Sequence, residues 1–186
     1  VVHPIIVRNR QEEWERNMQM YRSFIPAAKK YGVKICLENM FTTANCRKTG
    51  RACSNAADAC RYIDALNAEA GEDVFGYCYD IGHATLTCQD IYEDIKLLGH
   101  RLTVLHIHEN DTDKDLHQIP FMNRRTKYEL NTNWEEFLQA LKEIDYRGPL
   151  NLESAGSLTC IPTELIKPML QFGAAVCGYF RQKLQG

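Results

Sequence analysis

Four apolar runs in this chain end on residues that bind metals or move protons. "ICLEN" ends in Glu38 and "YCYD" ends in Asp80. "VLHIHEN" carries His106 and His108, and "LNLES" ends in Glu153. One carboxylate at the end of one strand is ordinarily a helix cap or a loop contact. Four successive occurrences at equivalent places ask for a common cause. In a parallel α/β barrel the C-terminal strand ends open on one face, and that face holds the active site. Three carboxylates gathered there repel one another, and a bound divalent cation removes the repulsion. Further donors stand nearby: His83 three residues after Asp80, His3 in the opening "VVHPIIV", and Asp115 and His117 in a "DLH" triplet. The triplet follows "ENDTDKD", a run of turn formers, so alone it reads as a solvated turn.

The elements that must position these residues follow from the hydrophobic pattern. Nearly continuous apolar runs at 1–7, 33–38, 74–80, 102–108 and 149–153 read as strands buried on both faces. Amphipathic segments separate them. Residues 11–31 carry Trp14, Met18, Tyr21, Ile25 and Ala28 at close to helical spacing. A second helix is expected over 55–69, capped by Ser54 and stopped by Gly71, and a third over 89–99. Residues 134–145 predict a fourth, and a last helix follows Pro162 and runs to about Leu184. This alternation predicts a parallel sheet with helices outside it, built from five βα units. A complete eight-fold barrel takes roughly 200 to 400 residues, and the chain has 186. The pattern therefore fits either a smaller open α/β sheet or the C-terminal five-eighths of a barrel. The first residue is Val and already sits in a core-like run, which points to sequence before it. No GxGxxG or Walker loop opens a helix, which argues against a nucleotide-binding sheet.

Bulk composition narrows the function classes. With 45% hydrophobic and 25% charged residues, the chain reads as one domain with a real core. Lys and Arg number 22 against 24 Asp and Glu, a net charge of -2. No basic excess points to nucleic acid or to a membrane surface, and no apolar run approaches the roughly 20 residues that span a bilayer. Eight cysteines without a secretion signal read as reduced thiols of a cytoplasmic protein, with Cys36 and Cys78 inside buried strands. Cys46, Cys53 and Cys60 recur every seven residues without a CxxC partner pattern, so packing explains them better than a metal.

Taken in order, these motifs resemble the xylose isomerase-like barrel superfamily, which contains sugar phosphate isomerases and epimerases, ketose 3-epimerases and endonuclease IV. "VVHP" resembles its fourth-strand histidine, "LEN" its fifth-strand glutamate and "YCYDIGH" the Asp-x-x-His of the sixth. "HIHEN" resembles the seventh strand, which makes His106 the ligand and His108 its inward neighbour. "DLH" resembles the Asp-x-His triplet and "LNLES" the eighth-strand glutamate. The resemblance runs over essentially the whole chain. It implies a partial TIM-type (β/α) barrel, strands four to eight, as a single domain over 1–186. One departure stands out: the Pro-Gly-x-Gly turn expected after the triplet is replaced by "IPFMNRR".

The resemblance also implies a chemistry. Glu38, Asp80, His106 and Glu153 would hold one Mn²⁺, Mg²⁺ or Co²⁺ ion. His3, His83, Asp115 and His117 are candidate additional ligands, with Zn²⁺ expected if the centre is multinuclear. Glu38 and Glu153 would exchange a proton with a small keto-sugar or sugar phosphate through an enediolate. His83 would hold a substrate oxygen and His108 would line the pocket. In the departing "IPFMNRR", Arg124 and Arg125 are candidates to meet a sugar hydroxyl or phosphate, although two exposed charges are the ordinary reading. A rival reading is an endonuclease IV-like zinc phosphodiesterase acting on abasic DNA, against which the absent basic excess weighs. A third is an inactive piece, or one whose exposed sheet edges are covered in a homo-oligomer.

Overall fold

Two-sided burial decides which apolar runs become strands. The computed structural model describes residues 1–127 and 129–186. Its strands are β1 (Ile35–Glu38), β2 (Phe41–Ala44), β3 (Arg47–Gly50), β4 (Phe75–Asp80), β5 (Leu102–Ile107) and β6 (Leu150–Leu152). Four of them form one sheet in the order β1-β4-β5-β6, and every pairing in it is parallel. All six residues of β4 are buried, as a central strand covered on both faces must be. The sheet does not close: β1 and β6 are its two edges. This is an open barrel of the (β/α) type.

The helices are α1 (Arg10–Arg22), α2 (Ile25–Tyr31), α3 (Ala56–Ala70), α4 (Ile81–Leu86), α5 (Ile91–Leu98), α6 (Trp134–Glu143) and α7 (Thr163–Gln185). Residues alternate between the two faces of each strand. Tyr77 and Tyr79 point to the helical layer, where the Tyr77 hydroxyl donates to the Cys53 carbonyl and that of Tyr79 to Asp94. Tyr21, Tyr62, Leu66, Ile95 and Phe137 complete that layer's fully buried core. The alternate residues Gly76, Cys78 and Asp80 therefore face the inside of the barrel. A Cβ on Gly76 would lie 2.1 Å from Thr103 Oγ1 on the neighbouring strand, so only glycine allows this approach.

Several sequence expectations need correction. The opening run 1–7 is not a strand, because only Val2 bridges the sheet, opposite Leu37. Pro4 lacks the N–H that would continue the ladder. The helix expected over 11–31 is two helices. Pro26 stands in the first turn of α2, and a proline ring clashes with the carbonyl four residues earlier. The N-cap of α3 is Asn55, which accepts from the Asp58 amide, and not Ser54. The hairpin β2–β3 and the short helix α4 fall where no element was expected. All eight cysteines are free. Among the described residues no helix is long and apolar enough to cross a membrane.

The cap assignment has a measurable consequence. Asn55→Ala should lower the unfolding free energy by about 1 kcal/mol, the ordinary value of an N-cap. Ser54→Ala should cost clearly less in the same urea titration. Equal losses would contradict the assignment.

Candidate metal centre and active site

The parallel register brings the strand ends together. Asp80 lies directly opposite His106 across β4 and β5, and Glu38 ends the neighbouring strand β1. Glu153 follows β6 and donates its amide to the Ile107 carbonyl. His106 Nδ1 sits 2.9 Å from Glu38 Oε1, 3.0 Å from Glu153 Oε2 and 3.9 Å from Asp80 Oδ2. One donor atom from each of Glu38, Asp80, His106 and Glu153 lies within 4.8 Å of all the others. Glu38 and Asp80 are buried.

A second group adjoins the first. One donor atom from each of His83, His108, Asp115 and His117 again lies within 4.8 Å of the rest. Asp115 Oδ2 is 3.3 Å from His83 Nε2 and 3.2 Å from His117 Nε2. His108 connects the groups, with Nε2 2.9 Å from Asp80 Oδ1 and 3.8 Å from Asp115 Oδ1. Its ring stacks on His117 with centroids 4.1 Å apart. A Cβ on Gly82 would fall 1.9 Å from His108 Cε1, so the glycine of "DIGH" is what lets this imidazole enter.

Backbone carbonyls orient two of these histidines. His83 Nδ1 lies 2.8 Å from the Asn39 carbonyl, and His117 Nδ1 lies 3.0 Å from the Glu153 carbonyl. A carbonyl only accepts, so both Nδ1 atoms carry a proton, and both Nε2 atoms face Asp115, where each could bind a metal once it gives up any proton it holds. That is how a protein readies imidazole for a metal. His3 is 63% exposed, yet its Nε2 reaches Glu38 Oε2 at 2.9 Å.

The donor chemistry fits a cation. Among the described residues, every ion-pair partner of Glu38, Asp80, Glu153 and Asp115 is a histidine, and no Lys or Arg joins them. Buried carboxylates left to one another are costly. Three carboxylates and one imidazole match the hard-to-borderline divalent ions. An ion about 2.1 Å from each ligand holds those ligands within roughly 4.2 Å of one another, close to the spacing seen here. The residues therefore fit one divalent ion at Glu38, Asp80, His106 and Glu153, and the second group offers donors for another.

The electrostatics follow from the same crowding. Burial opposes a charge on His83, but the Asp115 hydrogen bond and the fields of Asp80 and Asp115 outweigh it and raise its pKa to about 9. Burial likewise works against ionised Asp115, and His83 more than compensates, bringing that pKa down to about 2. Burial, with Asp80 and Glu38 nearby, raises Glu153 and favours its protonated form. The hydrogen bond that His106 Nδ1 donates to the Glu38 carboxylate raises the histidine.

The fold brings together Glu38, Asp80, His106 and Glu153 in one group, and His83, Asp115 and His117 with His108 in the other; His3 reaches Glu38 but joins neither group. Arg124 is exposed, and its backbone bridges Leu130. Three further residues hold the site and were not singled out from sequence. Asn39 donates to the Asp80 carbonyl and accepts from the Asp80 amide, both at 2.7 Å. Asn110 donates to the Gly82 carbonyl at 2.8 Å. Phe41 sets its ring edge-on to His83, centroids 5.1 Å apart. The signal for the two asparagines was present in "LEN" and "HEN"; Phe41 had none. Cavity size is no guide here, because a cavity of about 710 Å³ lies at the other end of β6, lined by Tyr146, Pro149, Leu150 and Arg181.

An open (β/α) barrel with a histidine–carboxylate centre at the C-terminal strand ends defines a class, and comparison with known proteins names it. A sequence model of the xylose isomerase-like TIM barrel family matches residues 1–173, and the chain belongs to that family. It is 32% identical over 101 residues, 54% of this chain and 30% of the relative, to uncharacterized protein y4fM of Sinorhizobium fredii. It is 28% identical over 162 residues to uncharacterized protein MJ1311 of Methanocaldococcus jannaschii, covering 84% of this chain and 49% of the relative. The chain thus spans half or less of the curated relatives it matches. Among solved structures, a D-psicose 3-epimerase crystallised with D-fructose superposes with a TM-score of 0.65 at 16% identity, over 98% of this chain and 61% of that one. An L-ribulose 3-epimerase gives 0.60 at 15% identity, over 99% and 62%. The 3-keto-D-glucoside 4-epimerase YcjR of E. coli gives 0.60 at 13% identity, over 92% and 57%. At these identities the likeness is one of fold.

The raised His83 and lowered Asp115 make a pH prediction for chelator-treated protein. A group whose pKa rises on folding stabilises the fold fully below its unfolded value, near 6.5, and loses that contribution as pH climbs through about 9. Asp115 acts oppositely: its contribution is present above about 3.8 and lost as pH falls through about 2. The stability gap between wild type and His83→Gln should be widest between about pH 4 and 6.5. It should reach at most about 3 kcal/mol and close by pH 9. A gap that widens toward pH 9 would contradict the assignment.

Proposed function

We propose that this chain carries the centre of a divalent-metal-dependent isomerase or epimerase acting on a small keto-sugar or its phosphate. In this reading residues 1–186 work as one barrel-type domain. The observation that carries it is the convergence of Glu38 and Glu153 on His106 Nδ1 from the two opposite edges of the sheet. Two carboxylates entering from opposite sides suit proton removal at one face of a carbon and return at the other.

A divalent ion held by Glu38, Asp80, His106 and Glu153 would polarise the substrate carbonyl and offset the charge that develops on the enediolate. The protein's own residues do the rest. The ionised member of the glutamate pair takes the proton from the carbon beside the carbonyl. The protonated member gives one back to the opposite face, which inverts the centre, or to the adjacent carbon, which moves the carbonyl. Burial shifts Glu153 upward, the direction that suits the member of the pair that gives a proton back. His83 Nε2 and His108 line the site and can hold substrate oxygens. The fold neighbours named for sugar epimerases support the substrate class.

The second histidine group supports one further reading: a two-ion centre, for which zinc is the natural occupant. It also keeps a metal-dependent phosphodiesterase in view, although a net charge of -2 offers no excess for duplex backbone contacts.

Solvent exchange tests the main reading. Protein loaded with Mn²⁺ and incubated with a ketose panel in D₂O should place deuterium on the carbon beside the carbonyl, followed by proton NMR. Glu38→Gln and Glu153→Gln should each slow this by about 10²–10⁴-fold. No exchange on any ketose, or full exchange in both variants, would overturn the reading.

A further inference from the structure

On the face it shares with Phe41, the hairpin beside the site carries Lys48, a cation with no carboxylate partner among the described residues. Phe41 pairs with Gly50 and Thr43 with Lys48, so these four residues share one face of the β2–β3 ribbon. Phe41 identifies that face, because its ring meets the His83 imidazole. Lys48 Nζ stands 5.2 Å from the centre of the Phe41 ring and 3.1 Å from Thr43 Oγ1. The other basic residues of this segment are differently placed. Arg51 is held by the buried Glu13 at 2.7 Å, and Arg47 pairs with Ala44 on the opposite face. Among the described residues Lys48 has no carboxylate partner, while all four acids of the site are matched by histidines.

A neutral sugar would leave this ammonium with nothing to neutralise. An ammonium beside a hydroxyl, on an aromatic ring at the rim of a substrate site, suits a charged oxygen group. We propose that Lys48 and Thr43 hold an anionic terminus of the substrate, a phosphate ester or a carboxylate, while Phe41 packs against the carbon chain between that terminus and the metal-facing oxygens. The inference rests on the sugar-enzyme reading and narrows it to acidic sugars. Lys48 is a specificity residue, since the reacting carbon lies at the glutamates.

The test compares three substrates with the Mn²⁺-loaded full chain: a neutral ketohexose, its 6-phosphate and a keto-hexuronate, each followed by deuterium uptake. The acidic substrates should exceed the neutral one at least tenfold in kcat/KM, and the better of the two identifies the anionic group. Lys48→Met should cut that preference at least tenfold, chiefly through KM, and Lys48→Arg should restore most of it. Independently of turnover, inorganic phosphate should broaden in ³¹P NMR with unloaded wild type and not with Lys48→Met. Preference for the neutral ketose, unchanged in Lys48→Met, would overturn this inference and leave the sugar reading standing. No uptake on any of the three would overturn both.

Discussion

Mutual repulsion among Glu38, Asp80 and Glu153 is the constraint on which the rest of the structure depends. Parallel strands aim these carboxylates at one point, and Glu38 and Asp80 are buried there. The protein answers with imidazoles only. His3, His108 and His83 each approach one of the acids and His106 approaches all three, and no permanently charged base does so among the described residues. Histidine can yield its proton to a metal, whereas arginine cannot leave its charge behind. A site balanced in this way keeps room for a cation.

The supporting structure serves that balance. Asn39 joins the ends of β1 and β4 through both polar atoms of Asp80's backbone, beyond what the ladder supplies. Asp80 also caps α4 by accepting from the His83 amide. One residue therefore ends a strand, starts a helix and joins the acid cluster. Glu109, fully buried next to His108, has its pKa raised by burial. It ties the loop that carries His117 to the end of β5, where Glu109 and Gln118 exchange backbone hydrogen bonds.

The legible parts of the sequence were those governed by one-dimensional pattern. Apolar runs ending in acids marked β1 and β4 because burial leaves no polar position before the strand end, while β6 was marked by its two leucines around an exposed Asn151. The same order of motifs marked the residues that the fold gathers at the strand ends. The 1–7 run failed because pairing needs a partner and an N–H, and Pro4 supplies none. The hairpin at 41–50 failed because its burial is partial and its residues polar. Phe41 reaches His83, and Lys48 reaches Phe41, only through that hairpin. Likewise "DLH" looks like a solvated turn until the Glu153 carbonyl is seen to orient His117.

The central claim is that the convergent acids hold a divalent ion. Metal content of protein purified without chelators or an affinity tag, read by plasma mass spectrometry beside Asp80→Asn, tests it most directly. The account predicts close to one tightly held equivalent of manganese, cobalt or magnesium per chain, or two of zinc, and loss of at least one equivalent in Asp80→Asn. Wild type that retains no metal even after reconstitution with each ion would contradict it.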